Sequence, residues 1–296
     1  MKDKESCICS AALTRRPFSD HFDSLHCDTC DSSHFVAIST GNGATVTDFQ
    51  YGGDNEKYTE KSYLYGKELR WAHLELLRQD WSGHKVLEIG CFNGFFLDEL
   101  KKRGADVYGF EINQDAIAVG SELFGLAGRL EVSLERLSTH GPFDDVLCID
   151  VLEHLEQPGA FVDELSSLLH PEGRLTVAGP TTERRFHDKS DFPPHHKWWF
   201  SRLGMKKMLQ QCGFQVVSIS IQRDGMLFVR NFIGRTLAGL RKREFYGDTV
   251  ITAPRMESGL RQVLYVTLSV LGVALFTALR ISYCSTIIVV RKSHRP

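Results

Sequence analysis

The sequence predicts an α/β protein with a mostly parallel sheet covered by helices on both faces. Three observations carry that prediction. Short apolar runs of strand length alternate with stretches of helical apolar spacing. Glycine and proline stops punctuate the alternation, as at Pro171-Glu172-Gly173 and Gly213. The run Lys85–Ile89 also ends on two glycines four residues apart, Gly90 and Gly94, before a helix-like pattern begins. Alternating elements of this kind fold as crossover units, which bury a parallel sheet on both sides.

Each element follows from its own residues. The passage from Lys85 to Leu97 reads as strand, tight turn and helix start. Asp106 to Glu111 is a second short strand. Phe143–Ile149 is a later strand, followed by the loop Asp150–Leu155. Ala160–Leu169 has helical spacing through Phe161, Leu165, Leu168 and Leu169, and Arg174–Ala178 is the strand after it. Ser201 can cap a helix that reaches Cys212, with Gly213 as its stop and Phe214–Ile221 as a further strand. Cys284–Lys292 is a last strand expected to pair antiparallel in the same sheet.

The turn carries chemistry. Glycine tolerates positive φ and leaves no Cβ between backbone and ligand, so a nucleotide-like molecule can lie against Gly90–Gly94. Glu111 ends the next strand 21 residues beyond Gly90, the spacing at which a carboxylate accepts hydrogen bonds from ribose hydroxyls.

These motifs resemble the class I S-adenosylmethionine-dependent methyltransferases, above all the branch of the ubiquinone-biosynthesis O-methyltransferases. The resemblance covers roughly residues 60–222 and the final strand. It departs from the family's commonest form at Phe92, where a middle glycine is usual. It implies a Rossmann-like three-layer sandwich, a seven-stranded sheet with an antiparallel last strand, and S-adenosylmethionine as cofactor. By motif, the cofactor residues are Glu88, Gly90, Asn93 and Gly94 in the first turn, Glu111 on the ribose, Leu134 beside adenine and Asp150 near the adenosyl or methionine part.

The 296 residues, 42% hydrophobic, suffice for one catalytic domain with additions. Four parts are expected: an N-terminal segment over 1–50, a cofactor-binding core over 51–222, a helical insertion over 223–281, and the last strand and tail over 282–296. The first residues lead into no apolar stretch, and the eight cysteines are scattered. A reducing, cytoplasmic setting is expected.

In the N-terminal segment, Cys7-x-Cys9 and Cys27-x-x-Cys30 stand 17 residues apart, a spacing suggestive of a structural zinc ribbon. The first pair is one residue short of the usual knuckle, so the ligand set is either these four thiolates or one with His26 or His34 in place of a cysteine. The alternative is a degenerate ribbon with free thiols.

Residues 197–296 carry 16 Lys/Arg against 4 Asp/Glu, whereas the first 196 carry 19 against 33. That asymmetry suits an anionic partner. Arg230, Arg235, Arg241, Lys242 and Arg243 are interleaved with apolar residues, the composition of a basic amphipathic helix on an anionic membrane surface. Val263–Leu279 is uncharged but short for a span. Because the last strand must return to the sheet, it is expected to be an interfacial or core-packed helix or part of a re-entrant pair.

For the acceptor side, the outstanding stretch is Phe192–Phe200. His195 or His196 can take a hydroxyl proton during methyl transfer, with His154 the second candidate and His187 a third. Trp198, Trp199 and Phe200 are placed to wall an acceptor. The expected reaction is in-line methyl transfer to a hydroxyl of a small or lipid-linked molecule, a quinone precursor or a glycan. The alternative is a sugar methyltransferase of polysaccharide or secondary-metabolite pathways. An RNA methyltransferase lacks a recognisable RNA-binding module here, and an intact Gly90/Gly94/Glu111 set argues against a non-catalytic adaptor.

Overall fold

The structure, a computed structural model, describes residues 6–38, 61–183, 191–222 and 285–293. The expected insertion at 223–281 and His187 lie outside the described residues. The chain divides into two compact units, and all described residues but Glu183 and Gln222 belong to the first.

The centre of that unit is a seven-stranded sheet. In chain order its strands are β4 (Lys85–Ile89), β5 (Asp106–Phe110), β6 (Leu130–Glu131), β7 (Phe143–Ile149), β8 (Leu169–Gly179), β10 (Phe214–Ile221) and β11 (Thr286–Lys292). Their order across the sheet is β10-β11-β8-β7-β4-β5-β6. The pairs β8–β7, β7–β4, β4–β5 and β5–β6 are parallel, and β11 runs antiparallel between β8 and β10. This is the expected Rossmann-like arrangement. The apolar runs of β4 and β7 are buried on both faces, because helices cover each side.

The helices are α1 (Lys61–Leu64), α2 (Trp71–Leu76), α3 (Phe95–Lys101), α4 (Gln114–Phe124), α5 (Leu134–Ser138), α6 (Pro158–Leu168) and α7 (Arg202–Gln211). Local chemistry fixes their ends. The Asn113 side chain accepts from the backbone N–H groups of Asp115 and Ala116, and Gly125 closes α4 with a left-handed φ of 61°. Ser201 accepts from the N–H of Gly204 at 2.9 Å, capping α7 as its position suggested. One boundary differs from expectation. Pro171-Glu172-Gly173 does not separate α6 from the next strand, because β8 starts at Leu169 and pairs there with Phe143. The register shift between Phe143 and Asp145 absorbs the extra residues.

The N-terminal segment forms β1 (Thr14–Pro17), β2 (Phe22–Cys27) and β3 (Ser32–Ala37), an antiparallel set. A fourth strand, β9 (Trp198–Trp199), joins it from far along the chain through Ser33↔Trp199 and His34↔Trp198.

Candidate functional site

Three loops that leave β4, β5 and β7 lie side by side at the carboxyl end of the sheet, where open α/β sheets hold their ligands. The first is the glycine turn. Gly90 and Gly94 have φ of 74° and 73°. A Cβ on Gly90 would come within 2.7 Å of Val151 Cγ2, and one on Gly94 within 2.6 Å of Leu126 Cδ1. Phe92 adopts φ 51° without being glycine. Its ring packs on Tyr63, centroids 4.9 Å apart, which offsets a conformational cost of about 1–2 kcal/mol.

Two carboxylates flank the turn. Glu88 is buried, and burial raises its pKa above the usual carboxylate range although His73 Nε2 stands 3.5 Å away. Its Oε2 has no hydrogen-bond partner among the described residues. Glu111 is buried too, with one oxygen accepting from the Phe92 N–H at 2.8 Å and the other from the Asn113 N–H at 2.9 Å. Those bonds aim the carboxylate and leave lone pairs for a diol.

The Asn93 side chain links the turn to the segment before it. Its amide donates to the carbonyls of Leu64 and Gly66, both at 2.8 Å, so it ties the α1 segment over the turn. Leu134 is half-buried at the start of α5, where Ser133 is the N-cap. Asp150 has φ 53° and pairs with Arg70 at 2.5 Å. Arg70 and His73 escaped sequence reasoning because α2 is short and carries no motif; Arg70 is found only through its ion pair.

The acceptor candidates converge. His154 Nδ1 lies 2.7 Å from the carbonyl oxygen of His195, and the His154 and His196 rings are 4.7 Å apart at 74°. A carbonyl only accepts, so His154 Nδ1 carries the proton and its Nε2 is the basic nitrogen. Burial lowers the pKa of His154 and of His195, which keeps both imidazoles neutral near pH 7. Beneath them Glu153 is buried, and desolvation followed by repulsion from Asp150 pushes its pKa well up. Its Oε1 lacks a partner among the described residues. One donor atom each from Glu153, His154 and His196 lies within 4.8 Å of the others, a set that can coordinate a divalent cation. Trp199 is T-shaped against Phe192, centroids 5.4 Å apart, and against Phe35 at 4.9 Å. Trp198 and Phe200, also expected to wall an acceptor, are instead buried and stack on each other in the core.

The four N-terminal cysteines form a second cluster, with all sulfurs within 4.8 Å of one another. Cys7 Sγ to Cys30 Sγ is 3.4 Å and Cys9 Sγ to Cys27 Sγ is 3.5 Å. Those separations exceed the disulfide length of about 2.05 Å and approach the ~3.8 Å edge of a tetrahedron with 2.3 Å zinc–sulfur bonds. Burial raises the pKa of the Cys27 thiol, but the backbone N–H groups of Cys30 and Thr29, with the neighbouring thiols, outweigh it and bring the value to about 7. Burial raises the pKa of the Cys7 and Cys30 thiols, so it is the sulfur geometry that fits a metal held by four thiolates. Neither histidine substitutes for a cysteine: His26 Nδ1 is 3.1 Å from Ser33 Oγ, and the His34 ring stacks on Trp198.

The sheet order, the glycine turn and the two flanking carboxylates define a nucleotide-binding α/β protein of the Rossmann-like class. A family model described as a methyltransferase domain matches residues 62–219, and the chain belongs to that family. It is 35% identical over 108 residues to the ubiquinone biosynthesis O-methyltransferase of Xylella fastidiosa (strain M23), covering 34% of this chain and 44% of that protein. It is 36% identical over 108 residues to the mitochondrial ubiquinone biosynthesis O-methyltransferase of Schizosaccharomyces pombe, covering 34% and 39%. The chain thus spans less than half the length of these relatives. Among solved structures, a SAM-dependent methyltransferase from Archaeoglobus fulgidus superposes with a TM-score of 0.50 at 20% identity, over 77% of this chain and 95% of that one. At that identity the likeness is one of fold.

Proposed function

We propose that this chain transfers a methyl group from S-adenosylmethionine to a ring hydroxyl of a small aromatic acceptor. The family, the identity to O-methyltransferases and the residues of the turn support the reading. One observation carries it: two buried carboxylates, Glu88 in β4 and Glu111 just beyond the adjacent β5, flank a turn whose Gly90 and Gly94 have positive φ. Glu88 Oε2 is an orphaned acceptor suited to the ammonium of the methionine part, and Glu111 suits the ribose. Asn93 acts by holding the α1 segment down, Asp150 by its pair with Arg70, and Leu134 by lining the adenine side.

When bound, S-adenosylmethionine supplies an already activated methyl group, so the protein has to align the acceptor and remove its proton. With the methyl donor held at the turn, the protein's own part would be to hold the acceptor hydroxyl in line and to take its proton on a histidine. His154 Nε2 is the base the geometry favours, with His195 and His196 shaping the pocket around it. The cysteine cluster would hold structural zinc.

Calorimetric titration with S-adenosylmethionine, with NADH as control, tests the reading. Micromolar binding of the first alone is expected, followed by transfer of labelled methyl to a catechol probe. A folded protein that binds neither would refute it.

A further inference from the structure

The four-cysteine cluster does not sit apart from the acceptor residues. β3 supplies the strand to which β9 is paired, and the Phe35 N–H donates to the carbonyl of Lys197 at 2.8 Å. His34, in the same strand, stacks on Trp198 with centroids 4.3 Å apart at 8°. Lys197 Nζ pairs with Glu156 at 2.6 Å, and His34 Nε2 lies 3.8 Å from the same carboxylate. The Lys197 N–H in turn donates to the Glu153 carbonyl at 2.8 Å. So Lys197, next to His196, is held on one side by the ribbon and on the other by the loop that carries Glu153 and His154.

The second attachment is at α7. The Ser201 N–H donates to Ser32 Oγ at 2.9 Å, and the Ser201 hydroxyl donates to the Cys30 carbonyl. A Cβ on Gly204 would collide with Ser32 Oγ and lie 3.1 Å from Cys30 Sγ, so the cysteine cluster rests directly on the first turn of this helix. The ribbon therefore fixes residues 197–201, immediately after His195 and His196. About thirty residues cannot bury enough apolar surface to hold such a shape, and in segments of that size a metal supplies the missing free energy.

We infer that the ribbon is a working wall of the acceptor site: a metal on Cys7, Cys9, Cys27 and Cys30 fixes His195 and His196 against Glu153 and His154, while the cofactor turn stands without it. The inference rests on the methyl-transfer reading and on the zinc reading of the cluster. The ribbon residues are positioning residues; none touches a reacting atom. Loss of the metal removes the partner of β9 and the support under α7, but no hydrogen bond of the Gly90–Glu111 region runs to the ribbon among the described residues.

The test uses the full chain, purified under reducing conditions with its zinc content measured, then stripped with a chelator. Amide hydrogen exchange across 191–200 is expected to accelerate by about tenfold or more, with 85–111 unchanged within about twofold. S-adenosylmethionine affinity by calorimetry should hold within about twofold. His34→Ala keeps all four thiols and removes the stack on Trp198. It is expected to retain zinc, speed exchange at 191–200, and lower kcat with little change in the KM for S-adenosylmethionine. Four results would overturn the inference: no zinc on the full chain, unchanged exchange at 191–200 after stripping, equal loss of order at 85–111, or unaltered exchange and kcat in His34→Ala. A zinc-loaded protein that fails to bind S-adenosylmethionine would instead refute the methyl-transfer reading, and the exchange data would still judge the ribbon's hold on the loop.

Discussion

The proposed cofactor half and the proposed acceptor half of this molecule are built in opposite ways. The proposed cofactor half is centred on one stretch, Glu88 to Asn113, in which strand, turn, helix and strand follow one another and the bonds that orient Glu111 reach only 19 positions back, to Phe92, and 2 positions on, to Asn113. The acceptor half brings together residues from β3, the loop after β7 and the segment before α7, with bonds such as Ser201 to Ser32 spanning 169 positions. A local site can be specified by spacing and glycine conformation. A site assembled over long range depends on the packing of distant segments.

The largest effect that would sharpen this contrast is at the base. His154→Ala should lower kcat by about 10²–10⁴-fold while S-adenosylmethionine affinity stays within about twofold, because only the acceptor half is touched. The double variant His195→Ala/His196→Ala should cost less, since His154 keeps its basic nitrogen; steady-state kinetics of both variants decide. If the double variant were the more damaging, the base would lie in the later loop.

On the other side, Glu111→Ala removes the proposed ribose acceptor and the carboxylate that accepts from the Phe92 and Asn113 N–H groups. Binding of S-adenosylmethionine should weaken by about 1.5–3 kcal/mol, roughly 10- to 150-fold, measured by calorimetry. Unchanged affinity would break the assignment of the ribose site.

The smallest effect is at the join. Ser201→Ala removes the α7 cap and a bond to the ribbon, and should cost about 1 kcal/mol of stability, read as a lowered Tm. A fall in kcat beyond that loss would tie the cap to the acceptor loop.

The order of these effects mirrors what could be read in advance. Gly90, Gly94 and Glu111 stand out because positive φ and strand-end spacing leave marks in a sequence. Arg70 leaves none, since an ion pair to Asp150 across 80 positions has no local signature. The long-range bonds of the Asn93 amide to the carbonyls of Leu64 and Gly66 likewise leave no mark in the motif. The proposed preference for His154 as base rests on a long-range contact of the same kind. The tautomer of His154 is set by the His195 carbonyl, 41 residues away, which no spacing rule reports.

By itself, the sequence determined the alternation of strands and helices, the glycine turn, the carboxylate at the end of β5 and the grouping of cysteines in two pairs. These are consequences of backbone conformation and hydrophobic period, which act over a few residues. Only the tertiary structure decided that β9 completes the ribbon's sheet, that Ser201 caps α7 while bonded to Ser32, and that Glu153 lies buried beside His154 and His196. Each of those depends on which distant surfaces exclude water together, and a pairing of that kind is settled by the whole core rather than by any one segment.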